Sequence, residues 1–266
     1  MRAAFSKAEI ESEIGSRFSS AFQLHEKRPA EVISTGIPEI DSFILGGLPR
    51  GAITEIFGSA SSGRTSFMLS ALGHATRHEE VCALVDTTNS FDLKSATRAE
   101  IDCERLLWIR CANNLEHAFK AIDLLLQGGG FGLVLLDLGD VPANSAKRII
   151  SSWWYRFRRT LEPTLTALVV IAEESCVRSC ATLALELRGE AYLWSSSSEG
   201  AVSTRSNTRS PTLLVSIPTA VDAFRRPVNK ASLPHSTLLK SLSFQVHCQR
   251  PLYLNRRAGE IRVKAS

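Results

Sequence analysis

The sequence contains no long apolar run. A membrane-spanning helix needs about 20 consecutive apolar residues, and none occurs among the 266 here, although 44% are hydrophobic. The opening stretch MRAAFSKAEIESEIG also lacks the apolar core of a signal peptide. No membrane association is expected, and the expected location is cytoplasmic. Paired cysteines are missing too. The six cysteines, at 82, 103, 111, 176, 180 and 248, form no Cys-x2-Cys and have no partner set at zinc spacing. Reduced, mostly buried thiols are expected, not a metal centre. Net charge is small, +4, but uneven: Ser195 to Ser266 holds 11 Lys/Arg against 3 Asp/Glu, and the first 194 residues carry a net −4. A basic tail on an acidic body points to a polyanion or an acidic protein as partner, or to a solubilising tail.

The chain is organised by alternating apolar runs and helical periods. Residues 1–32 read as a helical lead, with Ile10, Ile14, Phe18 and Phe22 at steps of four forming one stripe. Strands are expected at 52–57, 81–86, 106–110, 133–137 and 165–172. Helices are expected at 64–77, 114–127 and, as one long element, 143–161. Strands that are apolar throughout and alternate with helices predict an α/β fold with a mainly parallel sheet covered on both faces. LALELR at 183–188 reads as a half-exposed strand. Residues 195–235 read as a Ser-rich linker. Residues 236–266 read as a basic, β-rich tail with a hairpin at LNRRAGEIRVK. There is no internal repeat.

The chemistry-bearing stretch is EIFGSASSGRTS, Glu55 to Ser66. Its Gly-x4-Gly-x-Thr spacing is that of a phosphate-binding loop, between an expected strand and an amphipathic helix. Such a turn aims backbone N–H groups and a helix dipole at one spot. Gly58, Ser61, Ser62, Gly63, Arg64, Thr65 and Ser66 are the candidate nucleotide-binding residues. Thr65 would offer its hydroxyl to Mg²⁺. The usual lysine is replaced by Arg64, which keeps the charge but is longer, planar and forked. FGLVLLDLGD ends an apolar strand on Asp137, a second candidate Mg²⁺ ligand; the alternative is an aspartate capping the next turn. ATP and Mg²⁺ are the candidate cofactors.

ISTGIPEIDSFILGGLPRGAITEIFGSASSGRTS, followed by CALVDTTNSFD, resembles the RecA recombinases from about Val32 to Trp194. The resemblance implies a RecA-like core at 33–194, an ATP site and DNA-linked biology. It also implies what has been lost. The lysine of the loop is Arg64, and the catalytic glutamate, two residues beyond Asp86, is Thr88. A threonine is no general base toward water at neutral pH. The two DNA-binding loops are short, and the glutamine after the 165–172 strand is replaced by Glu173 or Glu174. A degenerate relative similar to the ImuA-type proteins fits this pattern. It would be an accessory factor in the SOS response and mutagenic lesion bypass, partnered by a polymerase-like protein and RecA. The alternatives are a DNA-dependent ATPase or recombination mediator, with Asp86 positioning water, and a division inhibitor that uses only the fold. The lead in such proteins packs on a neighbouring subunit, so Ile10, Ile14, Phe18 and Phe22 form the candidate protein-interaction and self-association surface.

Aromatics are sparse, at 7%, yet SSWWYRFRRT (151–160) crowds four of them among arginines. Such a mixture suits nucleic acid. The period through Ala146, Ile149, Ile150, Trp153, Trp154, Phe157 and Leu161 instead places the tryptophans in a core stripe. Arg156, Arg158 and Arg159 point elsewhere. With Arg256 and Arg257 of the tail they are the candidate DNA contacts, the alternative being a solvated face.

Overall fold

The computed structural model describes residues 31–194, 203–204, 239–250 and 260–265. The helical lead with Ile10, Ile14, Phe18 and Phe22, most of the linker, and Arg256 and Arg257 lie outside the described residues. The elements that follow belong to the unit running from Val32 onward.

The first structured stretch is a small antiparallel pair, β1 (Val32–Ile33) with β2 (Leu48–Pro49). Between them lies a helix the sequence reading missed, α1 (Pro38–Phe43). Proline at its start supplies the helical φ and has no N–H to waste. The Ser-Thr-Gly segment is fastened to it by one carboxylate. Asp41 Oδ1 accepts from the Thr35 N–H at 2.9 Å and the Thr35 hydroxyl at 2.8 Å, and Oδ2 accepts from Ser34 Oγ.

The main body alternates strand and helix. In order come β3 (Ala52–Phe57), α2 (Arg64–Arg77), β4 (Cys82–Asp86), α3 (Leu93–Arg98), β5 (Leu106–Arg110) and α4 (Leu115–Gly128). Then come β6 (Leu133–Leu138), α5 (Ala143–Lys147), α6 (Ser151–Leu161), β7 (Ala167–Ala172) and β8 (Leu183–Trp194). The short strand β9 (Ser203–Thr204), the long β10 (Leu239–Arg250) and β11 (Glu260–Ala265) complete the described set. The sheet order is β11-β10-β8-β3-β7-β6-β4-β5, with β9 beside β8. From β8 to β5 every pairing is parallel; β10 joins β8, and β11 joins β10, antiparallel.

Every residue of β3, β4, β6 and β7 is buried. Alternate side chains serve opposite faces, as period two requires. Leu84, Leu135 and Val169 join Phe67, Met68 and Leu72 of α2 in one core. Val85, Val134 and Val170 join Phe119 and Ile122 of α4 and Trp154 and Phe157 of α6 in the other. The second core is aromatic. The Phe119 ring meets Trp154 edge-on at 5.0 Å and Phe157 in a stack at 5.7 Å.

Two readings need correction. The single helix expected at 143–161 is two. Ile150 takes an extended conformation (φ −64°, ψ 125°) as the N-cap of α6, and the break lets α6 lay Trp154, Phe157 and Leu161 against α4. Ile150 therefore leaves the core stripe and is 67% exposed. The strand begun at LALELR continues to Trp194 and is interior, held parallel by β3 and antiparallel by β10. In the tail, β11 runs antiparallel to β10, with Val263 opposite Phe244, and residues 254–259 of the expected hairpin lie outside the described residues.

Phe157 is fully buried, so Phe157→Ala should cost about 3–5 kcal/mol of stability. Exposed Arg159→Ala should change it by less than about 0.5 kcal/mol. Urea unfolding of both variants against the wild type checks this.

Candidate functional site at the carboxyl end of the sheet

Parallel strands send their following loops to one end, and four of these loops meet there. The first leaves β3. The Gly58 N–H donates to the Ala172 and Glu173 carbonyls at 3.3 and 3.2 Å. A side chain at Gly58 would fall 2.2 Å from the Leu187 carbonyl, so the turn requires a residue without one. Gly63 has φ +103°, and a Cβ there would strike the Phe244 ring of β10 at 2.9 Å. α2 starts at Arg64, and Gly63 offers no side chain to cap it. The first-turn N–H groups of Arg64, Thr65 and Ser66 thus stand without a cap at the positive end of a 14-residue helix. Ser62 is 1% exposed, and its Oγ has no hydrogen-bond partner. Ser61 takes φ +61° on the rim, and Thr65 is exposed.

The second loop follows β4. Asp86 is fully buried and both of its oxygens are engaged. Oδ1 accepts from the Ser90 N–H at 3.1 Å; Oδ2 accepts from the Phe91 N–H at 3.0 Å and Trp108 Nε1 at 3.2 Å. Asp86 is the clasp of this loop, buried and engaged by three donors. Asp92 is committed as well, capping α3 through the Ser95 N–H and hydroxyl. Between them, Thr87 and Thr88 each keep a buried hydroxyl oxygen without a partner.

The third loop follows β6. Asp137 is 7% exposed, accepts from the Gly139 N–H at 2.8 Å, and lies 3.4 Å from Ser90 Oγ. Burial pushes its carboxyl above the usual aspartate range. The Gly139 hydrogen bond opposes that, Asp86 and Asp140 add to it, and Arg64 opposes it. Arg64 reaches across to this loop: Nη1 donates to the Gly139 carbonyl at 2.9 Å. The fourth loop follows β7 and is pinned by Glu55 of β3. That buried carboxylate accepts from the Cys176 and Val177 N–H groups at 2.5 and 2.8 Å and from Ser175 Oγ at 2.8 Å.

The residues here fit a nucleotide phosphate. An uncapped helix start and a curl that excludes side chains accompany the orphaned buried hydroxyl of Ser62, and Thr87 and Thr88 after β4 carry two more, where buried polar groups normally have partners. The chain matches the RecA N-terminal domain family over residues 3–150, more than half its length. The chain belongs to that family. This RecA-family chain is 28% identical over 179 residues to "Protein RecA" of Leifsonia xyli subsp. xyli, covering 62% of the chain and 50% of that relative. It is 27% identical over 178 residues to "Protein RecA" of Desulforapulum autotrophicum (61% and 51%). With that of Streptomyces venezuelae the figure is 33% over 131 residues (49% and 34%). The chain spans about half the length, or less, of these curated relatives.

The candidate DNA contacts on α6 are largely engaged. Arg156 pairs with Asp123 at 2.6 Å and stands over the Trp153 ring; Arg158 reaches Glu162 at 3.4 Å. Arg159 is exposed. Sequence reasoning did not find Glu55, Ser90, Trp108, Gly139 or Phe244 as site residues. Their roles depend on strand order, and only Gly139, two residues beyond Asp137, carried a local signal.

Asp137→Asn should raise the melting temperature at neutral pH. A folded pKa above the unfolded value means that ionised Asp137 opposes folding above that raised value, and the penalty vanishes below about pH 3.9, where both states are protonated. Melts from pH 8 to pH 4 should show the gain shrinking as the pH falls. A gain that grows on acidification would contradict the assignment.

Proposed function

We propose that this chain is a RecA-like accessory protein of the DNA-damage response, of the ImuA type. It acts in mutagenic lesion bypass by holding partner proteins, with ATP hydrolysis weak or absent. One observation carries the reading. Thr88 stands where the family's water-activating glutamate is expected, and the neighbouring Asp86 is fully buried and engaged by Ser90, Phe91 and Trp108. Activating a water needs a carboxylate or similar base within hydrogen-bond reach. The short post-β7 loop, pinned by Glu55, supports the same reading, since it is poorly suited to following a DNA strand.

Nucleotide is then a structural or regulatory ligand. Gly58, Ser61, Ser62, Gly63, Thr65 and Ser66 would cradle its phosphates, with Arg64 as the cationic side chain. Thr65 and Asp137 would face Mg²⁺, whose contribution is charge neutralisation between phosphates. The partners proposed are a polymerase-like lesion-bypass protein and RecA, met through Ile10, Ile14, Phe18 and Phe22, the same stripe serving self-association. Arg156, Arg158, Arg159, Arg256 and Arg257 are the proposed DNA contacts, the three on α6 all being exposed.

Steady-state ATP hydrolysis with and without single-stranded DNA tests this. The expected result is turnover near background and unchanged by DNA, with Thr88→Glu giving a measurable rise. DNA-stimulated turnover by the wild type would overturn it in favour of an ATPase.

A further inference from the structure

The break between α5 and α6 leaves an opening. Three elements wall a cavity of about 330 Å³: Leu115 and Phe119 of α4, Ile149 and Ile150 of the break, and Trp153 of α6. That is the small end of the range for ligand clefts, with room for one or two bulky side chains. Its aromatic wall is firmly packed. The Trp153 ring lies 5.9 Å from that of Phe119 and 5.7 Å from that of Phe157.

Ile150 is the odd residue here. It is the N-cap of the 11-residue helix α6 and gives it no side-chain hydrogen bond. Isoleucine is among the poorest caps and serine among the best, yet Ser151 and Ser152 follow directly and are exposed. At 67% exposure Ile150 adds little to the core either. A residue that breaks a local rule without a gain in the fold is expected where function needs it. On the lip of an apolar cavity, the gain of an isoleucine comes when another chain covers it.

The charges around the mouth define the occupant. Glu116, in the first turn of α4, pairs with Lys120 at 2.7 Å, and Asn114 caps that helix through the His117 N–H. Lys147 pairs with Glu174, and Arg156 with Asp123. Arg148 also lines the cavity and is exposed, and its side chain makes no ion pair or hydrogen bond with the described residues. The unbalanced charge at the mouth is therefore one cation, beside a helix start that no side chain caps. Both favour a carboxylate. A nucleic-acid strand fits less well. It presents a row of phosphates that needs several cations, and here one free arginine shares the wall with the carboxylate of Glu116.

We propose that this cavity is the docking site for a short acidic segment of a partner protein. The segment inserts a leucine or phenylalanine against Ile150 and Trp153 and sets a neighbouring aspartate or glutamate on Arg148. One small apolar slot and one free cation make a weak contact by themselves, useful when it acts together with a second attachment to the same partner. The inference adds a contact surface to the apolar stripe of the lead. It does not depend on nucleotide, so its failure leaves the hydrolysis reading untouched.

Fluorescence anisotropy of the full chain with a fluorescein-labelled hexapeptide, Asp-Asp-Leu-Phe-Asp-Asp, tests it. The wild type should bind saturably, and a probe with lysines in place of the aspartates should not bind. Arg148→Glu should weaken binding at least about tenfold, the effect of exchanging a charge-assisted contact for a like-charge one. Ile150→Ser should weaken it about tenfold by removing buried apolar area. That variant should nevertheless melt no lower than the wild type, because serine caps α6. No saturation up to about 1 mM peptide, the weak end of the affinity scale, would overturn the proposal. Binding that both variants retain would overturn it as well. A labelled oligothymidine that binds in place of the peptide, and is lost in Arg148→Glu, would assign the cavity to nucleic acid. A wild-type oligomer that Ile150→Ser dissociates in sedimentation would assign it to a second copy of this chain. Either result would overturn the acidic-segment assignment.

Discussion

The central strands of the sheet are buried on both faces, and this constraint determines where chemistry can happen. β3, β4, β6 and β7 expose no residue to solvent, and α2, α4 and α6 occupy the space above and below them. Polar function is left to the strand ends. Because these strands are parallel, their following loops gather at one end, the usual position of ligand sites in open α/β sheets. The phosphate loop, the Asp86 loop, the Asp137 turn and the Glu55-bound loop are neighbours for that reason, although they are far apart in sequence.

The carboxylates of this site are used largely to hold its loops. Glu55, Asp86, Asp92 and Asp137 lie at or near the strand ends, with Asp140, Glu173 and Glu174 close behind β6 and β7. Glu55, Asp86 and Asp92 each accept two or three hydrogen bonds from backbone and side-chain donors. Asp137 alone is held uncomfortably, its carboxyl pushed up by burial among other acids. Such a group gains most from a nearby cation. The site is thus arranged to bind charge and to keep its loops in place. Arg64 adds to the rigidity by joining two of these loops.

Much of this was legible in the sequence, because it depends on local pattern. Continuous apolar runs of five or six residues gave the buried strands, and the glycine spacing between a strand and an amphipathic helix gave the phosphate loop. What escaped depends on distant pairing. Nothing near Gly63 announces that Phe244 will pack on it, since that contact requires β10 to lie beside β8 and β8 beside β3. Glu55 reads as an oddity inside an apolar strand until the loop 120 residues later supplies its donors. The broken helix at 148–150 escaped for another reason: the apolar period runs through the break, and only the extended backbone of Ile150 reveals it.

The central claim is that EIFGSASSGRTS is a working nucleotide cradle in which Arg64 stands for the missing lysine. Titration calorimetry of Mg·ATP into the wild type and Arg64→Ala tests it most directly. The account predicts saturable binding by the wild type and at least about tenfold weaker binding by the variant, the loss of one charge-assisted contact. Absence of binding by both, with each protein folded, would contradict it. The loop would then be an inherited turn, and function would have to reside in the partner surfaces alone.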